Sequence, residues 1–344
     1  MLDKKLRPTL KSISELTGLA VPTVSRALGN APDISKATRQ RVQKVAAEIG
    51  YVPNRAGVRL RTGRSYVVSL VLSTETDVMN LTAKLINSIA AGLRGTRYNL
   101  TITPVLPDED PLVIIKSIVQ NQAADVIILN QTQPDDPRIA YLKSQNFPFV
   151  THGRTGANDG HDFYDFDNRV CAALAVERMA VRGRKSLLLL APPANQFYAS
   201  EMIAGATEAA ARLNVTLSVM RHVTSDSASD EIAAALKSHL AVAEGHADGI
   251  ICGSSTSCMA CVSAIEDLGL TVGADIDLFS KEAVSFLNRF RKGILTQYED
   301  VSEAGAFLAK AAVRRVERPE EGPMQKLDVP KAPNGGYAGC DRSI

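Results

Sequence analysis

From position 66 onward, short apolar runs alternate with helical stretches, and this alternation confines most of the chain to one fold class. The first series occupies 67–72, 81–93, 100–105, 112–119, 126–129 and 147–150. Short runs of Val, Ile and Leu separated by helices build parallel sheets that are covered on both faces. A second series follows at 187–190, 200–213, 216–219, 231–242, 249–252, 258–268 and 276–279, which implies two similar α/β halves. A long helical stretch at 167–184 joins the series. Residues 293–300, a helix at 303–316 and a run at 326–329 lead the chain back toward the first half. Beyond Pro330 the chain is rich in Gly, Pro and Lys, and this tail is expected to be loose.

The first 65 residues follow a different pattern. Thr9 can cap a short helix in which Leu10, Ile13 and Leu16 recur at helical spacing, and Thr17-Gly18 ends it. Pro22 stands where a first-turn proline is tolerated, and Val24, Ala27 and Leu28 form the stripe of a second helix that ends near Gly29-Asn30. Ser35 caps a third helix through Arg39, Val42, Val45, Ala46 and Ile49, with Gly50 at its C′ position. Two short helices around a glycine turn, backed by a third, make a helix-turn-helix head.

Charge separates the same two parts. The formal net charge is only +2, yet residues 1–65 hold 13 Lys and Arg against 4 Asp and Glu, while residues 66–344 hold 26 against 33. A head at +9 on a body at −7 is the electrostatic footprint of a nucleic-acid-binding module attached to something else.

The stretch Thr23-Val24-Ser25-Arg26-Ala27-Leu28-Gly29-Asn30, together with Thr9-Leu10, Ser35, Thr38-Arg39 and Gly50-Tyr51-Val52-Pro53-Asn54-Arg55, resembles the DNA-binding head of the lactose-repressor-like and galactose-repressor-like bacterial transcription regulators. The two-half body is similar to that family's periplasmic-binding-protein-like effector domain, with two doubly wound parallel-sheet subdomains. The resemblance implies a homodimer on double-stranded operator DNA, with recognition helices in successive major grooves and hinge helices in the minor groove. It also implies a small sugar or sugar derivative bound between the two halves of the body. The corresponding layout is a head at 1–53, a hinge at 54–64, a body at 65–330 and a tail at 331–344.

By this resemblance Val21, Pro22 and Arg26 occupy base-reading positions. Arg26 suits a guanine edge, and the other two can offer only apolar contact, for instance to a thymine methyl. Thr9, Thr23, Ser25, Asn30 and Thr38 match phosphate-contacting positions, which set register without reading sequence. Leu60 matches the hinge leucine that wedges between central base pairs, with Asn54 and Arg59 flanking it. Ala20 and Gly57 depart from the family pattern. Gly57 and the four arginines at 55, 59, 61 and 64 make the hinge a poor helix former, expected to order when DNA neutralises it.

In the body, polar residues after strand ends mark the effector cleft. Asn130, His152, Arg154, Asp167 and Tyr198 are the candidates, and Lys281 and Glu282 approach from the opposite wall. Arg154, read as sitting at the cleft mouth, is expected to bind effector while contributing little to folding. Two departures stand out: Met202 replaces the family's usual arginine three residues before Gly205, and Lys281-Glu282 replaces a common Tyr-Asp pair. A phosphorylated or acidic sugar therefore stays open as a ligand, as do corepression and activation.

Other functions lack their residues. Cys171, Cys252, Cys258, Cys261 and Cys340 are an odd, scattered set, and the C-x-x-C at 258–261 lies in an apolar helical stretch, which reads as buried thiols. The histidines show no metal spacing, and no nucleophile elbow, phosphate loop or dinucleotide fingerprint appears. The expectation is a non-enzymatic regulator without metal or cofactor, cytoplasmic and not membrane-bound. A periplasmic solute-binding protein would share the body but not the basic head, and a sugar-modifying enzyme would need a catalytic constellation in the cleft.

Overall fold

The computed structural model describes residues 8–52, 57, 59, 62–73, 79–156, 160–241 and 247–331. It divides into two units, Met1–Ser65 and Tyr66–Ile344, each with its own core.

The first unit holds α1 (Leu10–Thr17), α2 (Val21–Leu28) and α3 (Lys36–Glu48). Thr9 and Ser12 cap α1 reciprocally, and Gly18, at φ +67°, closes it by donating to Ser14 O. Ala20 begins α2 without a side-chain cap. Ile13, Val24, Ala27, Val42 and Ala46 make the core, one stripe from each helix, and Arg41 ties α3 to α1 by donating to Thr17 O over 2.8 Å. Gly57, Arg59 and Thr62 are helical. Gly63, at φ +69°, ends that turn by donating to Arg59 O. Asn54 and Leu60 lie outside the described residues.

The second unit begins with β1 (Val67–Ser73), α4 (Met79–Gly92), β2 (Asn99–Val105), α5 (Pro111–Gln120), β3 (Val126–Leu129), α6 (Pro137–Ser144), β4 (Phe149–His152) and β5 (Asp162–Phe166). The chain crosses over at α7 (Asn168–Val181) and builds β6 (Ser186–Leu190), α8 (Phe197–Leu213), β7 (Thr216–Val219), α9 (Ser229–Leu240), β8 (Gly249–Cys252), α10 (Ser255–Asp267), β9 (Asp277–Glu282), α11 (Leu287–Phe290) and β10 (Ile294–Tyr298). It then returns through α12 (Val301–Glu317) and ends in β11 (Gln325–Asp328). Two parallel sheets result, ordered β11-β5-β4-β3-β1-β2 and β10-β9-β8-β6-β7.

The central strands are fully buried apolar runs, as the alternation in sequence requires. The return to the first half is also observed, because α12 packs on α4 and β11 pairs with β5. β5 itself has no counterpart among the apolar runs read from the sequence, yet Asp162–Phe166 is a buried strand. Its aspartates are tolerated because both are paired, Asp162 with Arg315 and Asp165 with Arg154. The helices α6 and α11 also have no counterpart in the sequence reading.

Cys171, Cys252, Cys258 and Cys261 are buried free thiols. Among the described residues no helix is long and apolar enough to cross a membrane, and no cluster of His, Cys, Asp or Glu could hold a metal ion.

Candidate functional site

A cavity of about 150 Å³ lies between the two sheets, at the C-terminal ends of their strands. The first half contributes Asn130, Gln131 and Thr132 after β3, His152 and Arg154 at the end of β4, and Asp165 from β5. From the second half come Phe197 and Tyr198 at the start of α8, Asp226 after β7, Ser254 after β8, Lys281 from β9 and Glu299 after β10. Parallel strands that all point their carboxyl ends at one crevice produce this convergence.

Local backbone geometry fixes the wall beside Arg154. Gly153 has φ +115°, and a Cβ there would lie 2.6 Å from Thr132 Oγ1. That same hydroxyl donates to Arg154 O over 2.6 Å, so the glycine allows the two loops to meet. Phe197 N donates to Thr132 O over 2.8 Å, which links the first half to α8 of the second.

The Arg154 guanidinium donates from Nε to Asp165 Oδ2 at 2.7 Å and reaches Glu201 Oε2 at 3.3 Å, with its plane over the Phe197 ring. It is therefore enclosed rather than set at an open mouth, and the expectation that it matters little to folding is corrected. Arg154→Ala would leave a buried carboxylate without its partner, a loss of about 3 kcal/mol or more. Lys281 Nζ lies 3.2 Å from Glu299 Oε2 and donates to Asn168 Oδ1 at 3.1 Å. Its ammonium sits 5.5 Å from the Phe166 ring and 5.2 Å from the Tyr198 ring. Burial is the largest single influence and would lower this ammonium, but Glu299, Cys171 and Asp165 together outweigh it, raise its pKa and keep Lys281 charged. Burial lowers His152 and keeps it neutral at pH 7.

Asn130, His152, Arg154, Tyr198 and Lys281 thus come together in one cavity. Asp167 and Glu282 do not line it. Asp167 is turned back to cap α7, accepting from Val170 N, while Glu282 accepts from the Phe286 and Leu287 amides. Their neighbours Asp165 and Asn168 face the cavity instead. Glu299, Asp226 and Thr132 escaped the sequence reading, although Glu299 follows the end of β10 just as Asn130 follows that of β3. Met202 is packed in the core of the second half, so the position of the family's usual arginine is apolar filling here.

Asp165 carries a pH signature. Burial raises its carboxyl from 3.8 to about 6, against the opposing pull of Arg154. The native state holds this proton more tightly than the unfolded chain. Its contribution to stability is therefore fully present below about pH 4 and fades as pH rises through about 6, a span of about 3 kcal/mol. Asp165→Asn removes the titration. Denaturant unfolding of both proteins between pH 4 and 7 is expected to show the variant gaining on the parent by up to about 3 kcal/mol as pH rises. Parallel pH profiles would show that this carboxyl titrates normally.

In the first unit, Val21, Pro22 and Arg26 are exposed at the start and on the outer face of α2. Arg26 forms an ion pair with Asp33. Thr9 caps α1, Thr38 stands in the first turn of α3 with Oγ1 2.8 Å from Ser35 Oγ, and Thr23 and Ser25 are half-buried on α2. Asn30, at φ +55°, accepts from Gln43 Nε2 at 2.9 Å.

Comparison with known proteins places these two units. Residues 9–54 match the family profile of bacterial regulatory proteins, lacI family, and residues 69–322 match periplasmic binding proteins and sugar binding domain of LacI family. The HTH-type transcriptional regulator AglR of Rhizobium meliloti is 27% identical over 328 residues, which cover 92% of this chain and 90% of that protein. RafR of Escherichia coli is 31% identical over 192 residues, 55% of this chain and 57% of that protein. Among solved structures, the lac repressor dimer bound to operator and the anti-inducer ONPF superposes with a TM-score of 0.79 at 19% identity, covering 94% of this chain and 97% of that one. The transcriptional regulator CelR in complex with cellobiose gives 0.68 at 21% identity, covering 94% and 98%.

Proposed function

The chain belongs to the lacI family of bacterial regulatory proteins, and on that footing we propose that it is a homodimeric, cytoplasmic, operator-binding repressor of a carbohydrate uptake or catabolism operon. A small sugar-like effector in the cavity between the body's halves releases it. The family consists of transcription regulators, so binding rather than turnover is the activity to be explained. In this reading residues 1–53 are the head, 54–64 the hinge and 65–330 the body, with Asn54, Arg59 and Leu60 acting in the minor groove.

The observation that carries the DNA assignment is the exposed trio Val21, Pro22 and Arg26 on one face of α2, within a segment of net charge +9. Operator must displace Asp33 from Arg26. An exposed ion pair is worth about 0–1 kcal/mol, whereas a bidentate arginine on guanine discriminates by about 1–3 kcal/mol, so the base contact wins. Support for an effector comes from the convergence of both halves' strand ends on one polar, aromatic-lined cavity. Pairing with a second copy is supported by exposed apolar side chains on each half, Ile102, Leu106 and Val113 on one and the stacked Phe286 and Phe290 on the other.

Arg26→Ala tests the assignment. Binding to an operator selected from random DNA by the parent protein is expected to weaken by about 1–3 kcal/mol, with base preference relaxed at one position per half-site. Unchanged affinity and an unchanged selected sequence would remove Arg26 from base reading.

A further inference from the structure

We infer that Asp33 is a second base reader, which accepts a hydrogen bond from a cytosine amino group beside the guanine taken by Arg26. This rests on the proposed placement of α2 on operator DNA, and it adds a residue outside that helix to those that choose the sequence.

Asp33 is exposed in the turn between α2 and α3, and that turn is tied down on both sides. Gly29, Asn30 and Ala31 donate from their amides to the Ser25, Ala27 and Arg26 carbonyls at 3.1, 3.2 and 3.0 Å, and Ile34 N donates to Ala31 O at 3.2 Å. Asn30 is held by Gln43, and Ile34 packs against the core of the head. The turn therefore carries Asp33 at a fixed point beside α2, where its carboxylate meets Arg26 Nη2 with both side chains about half exposed. No helix claims this carboxylate as a cap, because Ser35 caps α3 by accepting from Thr38 N. Among the described residues, Asp33 is the one acid paired with a proposed base reader.

An acid on this face weakens the attraction of a +9 head for every duplex, since affinity comes largely from neutralising phosphates. A donor on the right sequence reverses that loss. In the major groove guanine presents two acceptors, thymine an acceptor and a methyl group, and adenine an acceptor beside its amino group. Cytosine alone presents a donor with no acceptor next to it, so it is the base that suits a carboxylate. Successive bases along a strand are about 3.4 Å apart. Two side chains whose charged ends touch in the free head can therefore each reach a base edge in adjoining pairs. Operator separates the ion pair and leaves neither charge alone, because guanine takes Arg26 and cytosine takes Asp33. Elsewhere on DNA, Asp33 faces phosphates and acceptors that repel it.

The test is selection from random DNA followed by fluorescence anisotropy, using the full chain as parent, Arg26→Ala, Asp33→Ala and Asp33→Asn. The parent is expected to select a guanine with a cytosine in an adjoining pair in each half-site. Arg26→Ala is expected to lose the guanine and keep the cytosine. Asp33→Ala should do the reverse, with discrimination at the cytosine reduced by about fivefold or more and random-sequence DNA bound about twofold more tightly. Asp33→Asn preserves the shape of the side chain, and its amide, which both donates and accepts, is expected to move the preference at that position to adenine. Undiminished preference for cytosine in either Asp33 variant, or a parent operator without that cytosine, would overturn the inference while leaving operator binding and the role of Arg26 standing. A parent that selects no sequence at all would overturn the operator assignment and this inference with it.

Discussion

A chain lacking residues 1–62 is expected to lose operator binding altogether while keeping its cavity and its ability to pair with a second copy. Protein–DNA affinity is dominated by phosphate neutralisation, and the observed binding constant falls with salt by roughly 0.9 power per phosphate engaged. The basic charge able to do this is concentrated in the first 65 residues at +9, while the remaining 279 carry −7 and repel the duplex. All the proposed base-reading and phosphate-contacting residues are also removed. The truncated body keeps its own apolar cores, because Ile13, Val24 and Val42 belong to a separate core within the head. Fluorescence anisotropy on the selected operator, across a salt series, measures the loss. Calorimetry with the effector and sedimentation of the truncated chain measure what remains. Undiminished, salt-sensitive operator binding by the truncated protein would refute the assignment of DNA binding to the head.

The two α/β halves were legible because buried parallel strands are written as uninterrupted apolar runs, such as Val126–Leu129 and Gly249–Cys252. β5 was not, because its partners lie far away in sequence. Asp162 is neutralised by Arg315, 153 positions on, and nothing near Asp162 announces that pairing. α6 was hidden for a related reason. Arg138 interrupts its apolar stripe yet is buried, folded onto Asp136 and the carbonyls of Asn130 and Gln131. At the cavity, strand-end position brought Asn130, His152, Arg154, Tyr198 and Lys281 to the right place, but it cannot say which of two nearby carboxylates faces inward. Asp165 and Asp167 differ in role because a helix begins at Asn168 and claims Asp167 as its cap. Glu282 is likewise claimed by the amides at the start of α11. A carboxylate near a helix start is read the same way in sequence whether it serves the backbone or a ligand, and only the fold separates the two.

Gly205→Ala is expected to destabilise the body by about 2 kcal/mol and to weaken effector binding with it. Gly205 lies in α8 where that helix rests on α7, and a Cβ there would fall 2.0 Å from Arg169 O and 2.7 Å from its carbonyl carbon. The obstacle is backbone, so no side chain can rotate away and the helices must separate. Overpacking of this kind costs about 1–3 kcal/mol or more, against a gain of up to about 1 kcal/mol from the better helix former, so the steric loss prevails. For a domain of this size the midpoint should fall by roughly 4–8 °C. The disturbance reaches the cavity because α7 begins at Asn168, which accepts from Lys281, and α8 carries Phe197, Tyr198 and Glu201. Separating these helices draws Glu201 away from Arg154 and Asn168 away from Lys281, loosening both ion-paired walls at once. Thermal unfolding and calorimetry on the same variant read the two effects. A variant stabilised by the propensity gain, with effector affinity unchanged, would show that the two helices do not approach as closely as Gly205 allows.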